Sequence, residues 1–503
     1  MNNAVDPRSE NSCQFDADGP GRGRTADDAA TLPPLVVDLD GTLTPTDTLV
    51  ESALTLLRYS PRRFLAALLA LRHGRLHLKH AIAKEVSLPV DLLPLNEDLV
   101  DYLRAQAASG RRIVLATAAH KSIATRLASR LGIFDRVIAT DDRNLKGHAK
   151  LAAIREQVGE RFVYAGDSRA DLPIWQASEA AVLVGAGASL ARRVRAERPV
   201  ELEVSRPFEI AHWMRALRLH QWAKNLLIFV PLLTSFAFVD AGAVGRSLLA
   251  FLSFSLMASA NYVVNDLLDL DSDRRHPRKR LRPFACGALA PSAGLLLSLA
   301  CGSLALLTAL PLGAEFAAII IFYLFATNAY SLVLKRFILL DVIGLSLLYT
   351  LRIFAGGIAI GAQISHWLLF FSTFMFLSLA MIKRCAELIV VEEQGKDAIT
   401  GRDYRVSDLR VLFPVGIASA VSSIVVFGLY VNALETQSRY ASPELLWLCA
   451  AGLIYWITRL WIKTSRGEMH DDPLVFAIRD FGSRITVLAI VVVAAVAHTM
   501  RII

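Results

Sequence analysis

Cysteine is scarce in this chain. Its 503 residues include five (Cys13, Cys286, Cys301, Cys385 and Cys449), scattered, odd in number and without metal-ligand spacing. That argues against a disulfide framework or a zinc site, and leaves four of them as small apolar residues of membrane segments and Cys13 as incidental. Residues 1–33 have no apolar core and are rich in Asp, Arg, Gly and Ser. They read as a disordered tail rather than a secretory signal, so the first domain is expected to stay in the cytoplasm. No internal repeat stands out, and nothing calls for a nucleic-acid partner. What the chain has in quantity is apolar residues: 54% are hydrophobic, the mean hydropathy is +0.43 and the formal net charge is +8. That is too apolar for a purely soluble protein and too polar for an all-membrane one. The length implies more than one domain.

Residues 34–200 alternate short apolar runs with helical stretches. The strand candidates are Leu35–Leu39, Arg112–Ala116, Arg136–Ala139, Phe162–Ala165 and Ala181–Val184. Strands separated by helices imply a parallel, Rossmann-like α/β sheet. Residues 48–108 look helical and lie between the first two strands, where a cap would be inserted. Residues 201–216 read as a linker and an amphipathic lead-in to an all-α membrane domain over 217–503.

Apolar segments of spanning length, about 20 residues each, fall near 225–240, 245–264, 286–310, 315–334, 338–360, 366–382, 409–431, 444–462 and 483–500. This predicts about nine transmembrane helices. The loops after every second span carry the cations, among them Arg274, Arg275, Arg278, Lys279, Arg280, Arg282, Lys335, Arg336, Lys383, Arg384, Arg402 and Lys463; the opposite loops carry little beyond Arg246 and Arg439. The positive-inside rule then places the N-terminal domain and the cationic loops together on the cytoplasmic face of the inner membrane.

Two constellations carry chemistry. In the first half, Val36-Val37-Asp38-Leu39-Asp40-Gly41-Thr42 is an apolar strand ending in two carboxylates and a glycine turn. Asp38 is placed to attack phosphorus and Asp40 to exchange a proton with the leaving alcohol. Thr117 ends a second strand, Lys150 starts a helix, and Gly166-Asp167-Ser168-Arg169-Ala170-Asp171 follows a further strand. In a doubly wound sheet such strand ends converge on one crevice.

In the second half, Asn265-Asp266-Leu-Leu-Asp269-Leu-Asp-Ser-Asp273 runs directly into a cationic stretch through Lys279 and Arg282. Asn265, Asp269 and Asp273 are spaced i, i+4 and i+8, one face of a helix, with Asp266 beside it. Ionisable groups at a membrane edge are costly and default to a functional reading. Clustered hard oxygen donors suit Mg²⁺ shared with substrate phosphates, and the cations suit the remaining phosphate oxygens.

The four motifs of the first half resemble the haloacid dehalogenase-like phosphatases over about residues 34–200. The resemblance implies that Asp38 is the nucleophile and Asp40 the general acid/base. It also implies that Thr117 and Lys150 bind phosphate, with Lys146 a rival to Lys150. Mg²⁺ would be held by Asp38, Asp167 and Asp171, with Asp40 a further candidate.

The Asp-rich segment resembles the first motif of the UbiA superfamily of intramembrane prenyltransferases, over about residues 213–503. Further features narrow it: Leu219-His220-Gln221-Trp222-Ala223-Lys224-Asn225; Arg274 to Pro283, including His276; Tyr330 with Lys335, Arg336 and Asp341; Lys383-Arg384-x-x-Glu387; and Gly401-Arg402-x-Tyr404. Together they look like the decaprenyl-phosphate phosphoribosyltransferase branch. One departure matters. Aromatic prenyltransferases of the superfamily carry a second DxxxD-type motif, whereas here Asp341 is followed four residues later by Leu345.

The implied reaction moves 5-phosphoribose from phosphoribosyl diphosphate to a polyprenyl phosphate. Asp266 and Asp269 would be catalytic, and Asn265, Asp266, Asp269 and Asp273 would hold Mg²⁺. Lys279, Arg282, Lys335 and Arg336 would bind phosphate, while Lys224, Asn225, His276, Tyr330, Asp341 and Lys383 would contact substrate. His470-Asp471-Asp472-Pro473 is a further acidic segment, read as a solvated loop with a further ligand set as the alternative. The phosphatase-like domain is expected to remove the 5-phosphate from the lipid-linked product. Two other readings remain: an aromatic-acceptor polyprenyltransferase fused to an unrelated phosphatase, and a lipid-phosphate-binding membrane protein with a regulatory domain.

Overall fold

The apolar run Leu35–Val37 is buried on both faces and forms β1, the middle of a six-stranded sheet. With β2 (Ile113–His120), β3 (Arg136–Thr140), β4 (Val163–Gly166), β5 (Ala180–Val184) and β6 (Val200–Val204), its order is β3-β2-β1-β4-β5-β6, parallel throughout. Near-continuous apolar strands are what a parallel sheet covered on both sides requires. The period-two alternation sorts the side chains onto two cores. Leu35, Val37, Ile113, Leu115 and Val163 face the helices Glu97–Ala108 and Lys121–Leu131. Val36, Val114, Tyr164 and Leu183 face His148–Gln157, Leu172–Ala177 and Ala188–Glu197.

The computed structural model describes residues 32–206, 208–399, 401–469 and 472–500. The tail expected over 1–33 therefore lies outside the described residues except for its last two positions, as do His470 and Asp471. The five expected strands form to within a few residues of their expected ends, at most four. β6 is an addition and a correction: the linker expected from residue 201 begins instead as an edge strand. Glu201 and Glu203 alternate with Leu202 and the buried Val204, and this alternation, not a continuous apolar run, is the signature of an edge. The amphipathic lead-in is present as the helix Ile210–Leu217.

The chain divides into two compact units. One comprises residues 1–48 and 67–207, and the other 49–66 and 208–503. The helices expected over 48–108 form as Thr48–Tyr59, Pro61–Leu69, Arg75–Glu85 and Glu97–Ala108. However, 49–66 belongs with the second unit rather than the first.

Among the described residues the second unit has seven helices long and apolar enough to span a membrane: Ala241–Leu268, Pro291–Leu312, Ala314–Arg336, Leu340–Ile360, Val406–Asn432, Pro443–Ser465 and Phe481–Thr499. Two of the nine expected spans are not among these seven. Residues 225–240 form no long helix. They break into the 3-10 helix Leu219–Phe229, the short helix Val230–Thr234 carrying Pro231, and a further 3-10 turn. Proline removes a backbone donor and tends to break a continuing helix. Residues 366–382 do form a helix, the first part of His366–Glu393, which is not among the seven and whose last eleven residues carry Lys383, Arg384, Glu387, Glu392 and Glu393. The broken segment packs tightly on Leu340–Ile360: a Cβ built on Gly356 would lie 2.1 Å from the Ile228 carbonyl oxygen, so only glycine fits there.

Candidate functional site

In the first unit the strand order reverses direction between β1 and β4, and the motif residues gather at the carboxyl ends of these strands, where such sheets bind ligands. Asp38 follows β1. Its Oδ1 accepts from the Leu39 amide at 2.8 Å, and its Oδ2 pairs with Lys150 Nζ at 2.8 Å. Lys150 also donates to the Tyr164 hydroxyl at 2.9 Å and lies 3.4 Å from Asp171 Oδ1. Asp171 is held by Tyr164 at 2.8 Å and by the Ser168 hydroxyl at 2.9 Å. Thr117 is fully buried within β2, where its pairing with β3 becomes irregular, and its hydroxyl accepts from the Ala119 amide at 3.0 Å. Of the two lysines, Lys150 is buried in this cluster, whereas Lys146 is exposed.

Asp38, Asp167 and Asp171 offer ligand oxygens within 4.8 Å of one another. Burial first, then Asp171 and Asp38, push the Asp167 carboxyl up to about 7. Three hard oxygen donors that repel one another in a buried crevice fit Mg²⁺, which relieves that repulsion. Asp40 does not join this group, so its side chain is not among the converging ligands. It instead accepts from the Thr48 amide at 2.9 Å. Burial and Asp47 push its carboxyl up to about 7, the range in which one group both gives and takes a proton. Gly41 has φ +78°, and a Cβ there would sit 2.2 Å from Asp167 Oδ2, so the motif glycine is what lets the two acidic turns approach.

In the second unit the Asp-rich segment ends the helix Ala241–Leu268 and begins the helix Leu270–Arg275, with the break at Asp269. The i→i+4 backbone bonds Asp269→Asn265 (3.0 Å) and Asp273→Asp269 (2.8 Å) continue through it. The side chains nevertheless do not converge on one another. Asp266, 4% exposed, is bound by Arg218 and by Arg282 at 3.1 Å. Asp273 accepts from the same Arg282 at 2.6 Å, Asp269 pairs with Arg58, and Asn265 donates to Ser331 at 3.3 Å. The donor set suits Mg²⁺ in kind, being hard oxygens. Each carboxylate, however, already faces a guanidinium. The segment is thus an alternation of anions and cations able to take up a metal-bound phosphate from both sides.

The remaining candidates divide. Lys224 and Lys383 meet on Asp472, at 2.9 and 3.1 Å. Burial alone would raise the Asp472 carboxyl, but the two lysines outweigh it and hold it well below the usual carboxylate range. Asn225 is buried between Ser255 (3.0 Å) and Arg352 (2.8 Å). Tyr330 donates to Asp341 at 2.8 Å. Lys335 is half-buried, while Arg336, Lys279 and His276 are exposed, and the His276 ring accepts from the backbone amides of Arg278 and Lys279, which makes it a local cap.

Asp341 is no open ligand. It is fully buried, as is Arg384, which clamps it through two nitrogens, and Arg402 adds a third contact at 3.0 Å. Asp341→Ala should therefore act on the fold. It removes the carboxylate that Arg384 and Arg402 share and leaves Arg384 only Glu387 as an ion partner among the described residues, and losing one side of a buried pair costs up to about 3–5 kcal/mol. Thermal unfolding in detergent without Mg²⁺ reads this as a fall in the midpoint. A metal-ligand role would leave that midpoint unchanged.

Arg218, Arg58 and Arg352 were not foreseen. Arg218 immediately precedes the Leu219–Asn225 motif, which was its one signal. Arg58 lies 211 residues from Asp269, and nothing in local periodicity connects them.

Residues 228–481 match the UbiA prenyltransferase family, and residues 75–176 match haloacid dehalogenase-like hydrolases. The uncharacterized protein y4nM of Sinorhizobium fredii is 41% identical over 89% of this chain and 87% of its own length. The decaprenyl-phosphate phosphoribosyltransferase of Mycobacterium tuberculosis is 29% identical over 54% of this chain and 89% of its own. Among solved structures, a UbiA homolog from Archaeoglobus fulgidus bound to GPP and Mg²⁺ covers 57% of this chain and all of its own, with 16% identity and a TM-score of 0.45. With its seven candidate spans the chain is an integral membrane protein. It belongs to the UbiA prenyltransferase family and carries a haloacid dehalogenase-like domain ahead of the membrane unit.

Proposed function

We propose that the membrane unit transfers 5-phosphoribose from phosphoribosyl diphosphate to a polyprenyl phosphate, and that the haloacid dehalogenase-like unit then removes the 5-phosphate. The observation that carries the first step is the sharing of Arg282 between Asp266 and Asp273, with Arg218 on the other side of Asp266. Carboxylates alone would serve a metal. Carboxylates interleaved with guanidiniums serve a metal and the phosphate oxygens it does not reach. The likeness to a decaprenyl-phosphate phosphoribosyltransferase supports the choice of donor. So does the burial of Asp341 under two arginines, which removes the second acidic cluster that an aromatic prenyltransferase would use.

In transfer, the ribose C1–O bond to diphosphate breaks through an oxocarbenium-like state, and the lipid phosphate oxygen bonds to C1. Negative charge grows on the leaving diphosphate. Arg282 and Arg218 are pre-positioned donors for that charge. Mg²⁺ bound at Asn265, Asp266, Asp269 and Asp273 would supply further neutralisation. The excess of cations in the adjoining loops supports a cytoplasmic face for this segment, where a water-soluble sugar diphosphate is available.

In the hydrolytic step, an Asp38 oxygen bonds to phosphorus while the bond from phosphorus to ribose O5 breaks. Asp40 gives its proton to O5. Asp40 then takes a proton from the water that attacks the aspartyl-phosphate, and inorganic phosphate leaves. Lys150 and Thr117 bind the phosphoryl oxygens. Mg²⁺ at Asp38, Asp167 and Asp171 would offset their repulsion toward an incoming phosphate.

Membranes carrying the protein, incubated with ribose-labelled phosphoribosyl diphosphate and polyprenyl phosphate, should move label into the organic phase with release of diphosphate. Label that stays water-soluble, while an aromatic acceptor and a polyprenyl diphosphate are consumed, would show the reading to be wrong.

A further inference from the structure

The helix Thr48–Tyr59 lies in sequence between β1 and β2 of the first unit's sheet, yet residues 49–66 fold with the membrane unit. Three residues on one face explain this. Glu51, Leu54 and Arg58 are spaced i, i+3 and i+7. Leu54 is buried with Val263, Leu267, Leu270 and Phe284, which flank the Asp-rich segment. Glu51 and Arg274 form a bidentate pair, 2.6 and 2.8 Å, with side chains 2% and 4% exposed. Arg274 is fixed in turn by the Ala285 carbonyl at 3.1 Å. The apolar contact and the buried ion pair set the register of the helix. Two turns after Glu51, Arg58 then falls on Asp269 and donates to the Leu268 carbonyl at 2.6 Å.

The Arg58 contact differs from the Glu51 pair. Arg58 and Asp269 are 30% and 34% exposed, so water and solutes reach them. Both hydrogen bonds of Arg58 leave from Nη1. Among the described residues, Nη2 and Nε have no hydrogen-bond partner. They form the edge of a planar fork that matches two oxygens of a phosphate. Lys335 lies within electrostatic reach of Asp269, Arg58, Arg336 and Arg402. Asp271 and Asp273 are the neighbouring anions and Lys335 and Arg336 the neighbouring cations, around a guanidinium that is oriented by a carboxylate and partly unsatisfied.

We propose that Arg58 is a diphosphate-binding residue of the membrane unit's site, presented to the ligand by Asp269. The ligand class is a diphosphate or its ester. That the ester is phosphoribosyl diphosphate rests on the reading above. The site is thus completed by a segment that in sequence belongs to the phosphatase half, and a chain cut between its two family regions would lack it.

The test uses the full-length protein in detergent with Mg²⁺ and inorganic diphosphate, by titration calorimetry. Arg58→Ala should weaken diphosphate binding about 10–100-fold, the scale of a charge-assisted contact. Arg58→Lys should fall between alanine and wild type, and neither should lower the thermal midpoint by more than about 2 °C. Wild-type affinity in Arg58→Ala overturns the proposal, as does a wild type that binds no diphosphate. If Arg58→Ala does not fold, protection replaces it. Diphosphate should shield Arg58 of the wild type from phenylglyoxal, read by peptide mass spectrometry, and unshielded modification overturns the proposal. Turnover of phosphoribosyl diphosphate is measured separately. Diphosphate binding through Arg58 without that turnover would sink the reading of the substrate and leave Arg58 in place.

Discussion

Asp266→Ala should lower kcat/KM for phosphoribosyl transfer by at least about a hundredfold, the loss expected when a preorganised electrostatic contact to the leaving group is removed. Asp266 is 4% exposed and holds Arg218 and Arg282 at once. Its removal takes away an oxygen donor and frees two guanidiniums that it orients. The defect should therefore appear in kcat as well as KM, because the charge these groups meet grows as the C1–O bond breaks. Hydrolysis of a small phosphate ester by the other unit should be unchanged. A loss of both activities would point to misfolding, and full transfer activity would show that Asp266 takes no part in the transfer.

Asp38→Asn should lower phosphate-ester hydrolysis by about 10⁴–10⁶-fold, the range seen when a catalytic nucleophile is removed. The variant keeps the size of the side chain and its place beside Lys150, but an amide neither attacks phosphorus nor balances the lysine charge. Transfer should continue at the wild-type rate, so that lipid-linked 5-phosphoribose accumulates. If the variant releases as much dephosphorylated lipid as wild type, the haloacid dehalogenase-like unit does not act on that product.

What could be read from the sequence was whatever local pattern determines. Val36-Val37-Asp38 and Ala165-Gly166-Asp167 announce strand ends with acids, and the parallel sheet brings them together whatever the helices between them do. β6 escaped because an edge strand with glutamates at alternate positions looks like a polar linker. Residues 225–240 have the composition of a span, but Pro231 and the 3-10 turns divide them, so composition alone misleads there. In the membrane unit the aspartates and Arg282 were recognisable, and the partners Arg218 and Arg58 were not. Arg218, Arg282 and Arg58 reach the Asp-rich segment from three different places in the chain. A pair 211 residues apart is decided by packing around Leu54 and Phe284, not by spacing. His276 shows the converse: it sits within a promising motif, yet its ring is committed to backbone amides at the surface.

The central claim is that two chemistries follow one another on one lipid. Phosphoribosyl diphosphate carrying ¹⁴C in the ribose and ³²P in the 5-phosphate tests it directly, with full-length protein in membranes and unlabelled polyprenyl phosphate. The account predicts that the lipid fraction gains ¹⁴C, and that ³²P enters it and then leaves as inorganic phosphate, so that the ratio of ³²P to ¹⁴C in the lipid falls with time. A lipid fraction that keeps both labels in constant ratio, or that never gains ¹⁴C, would contradict it.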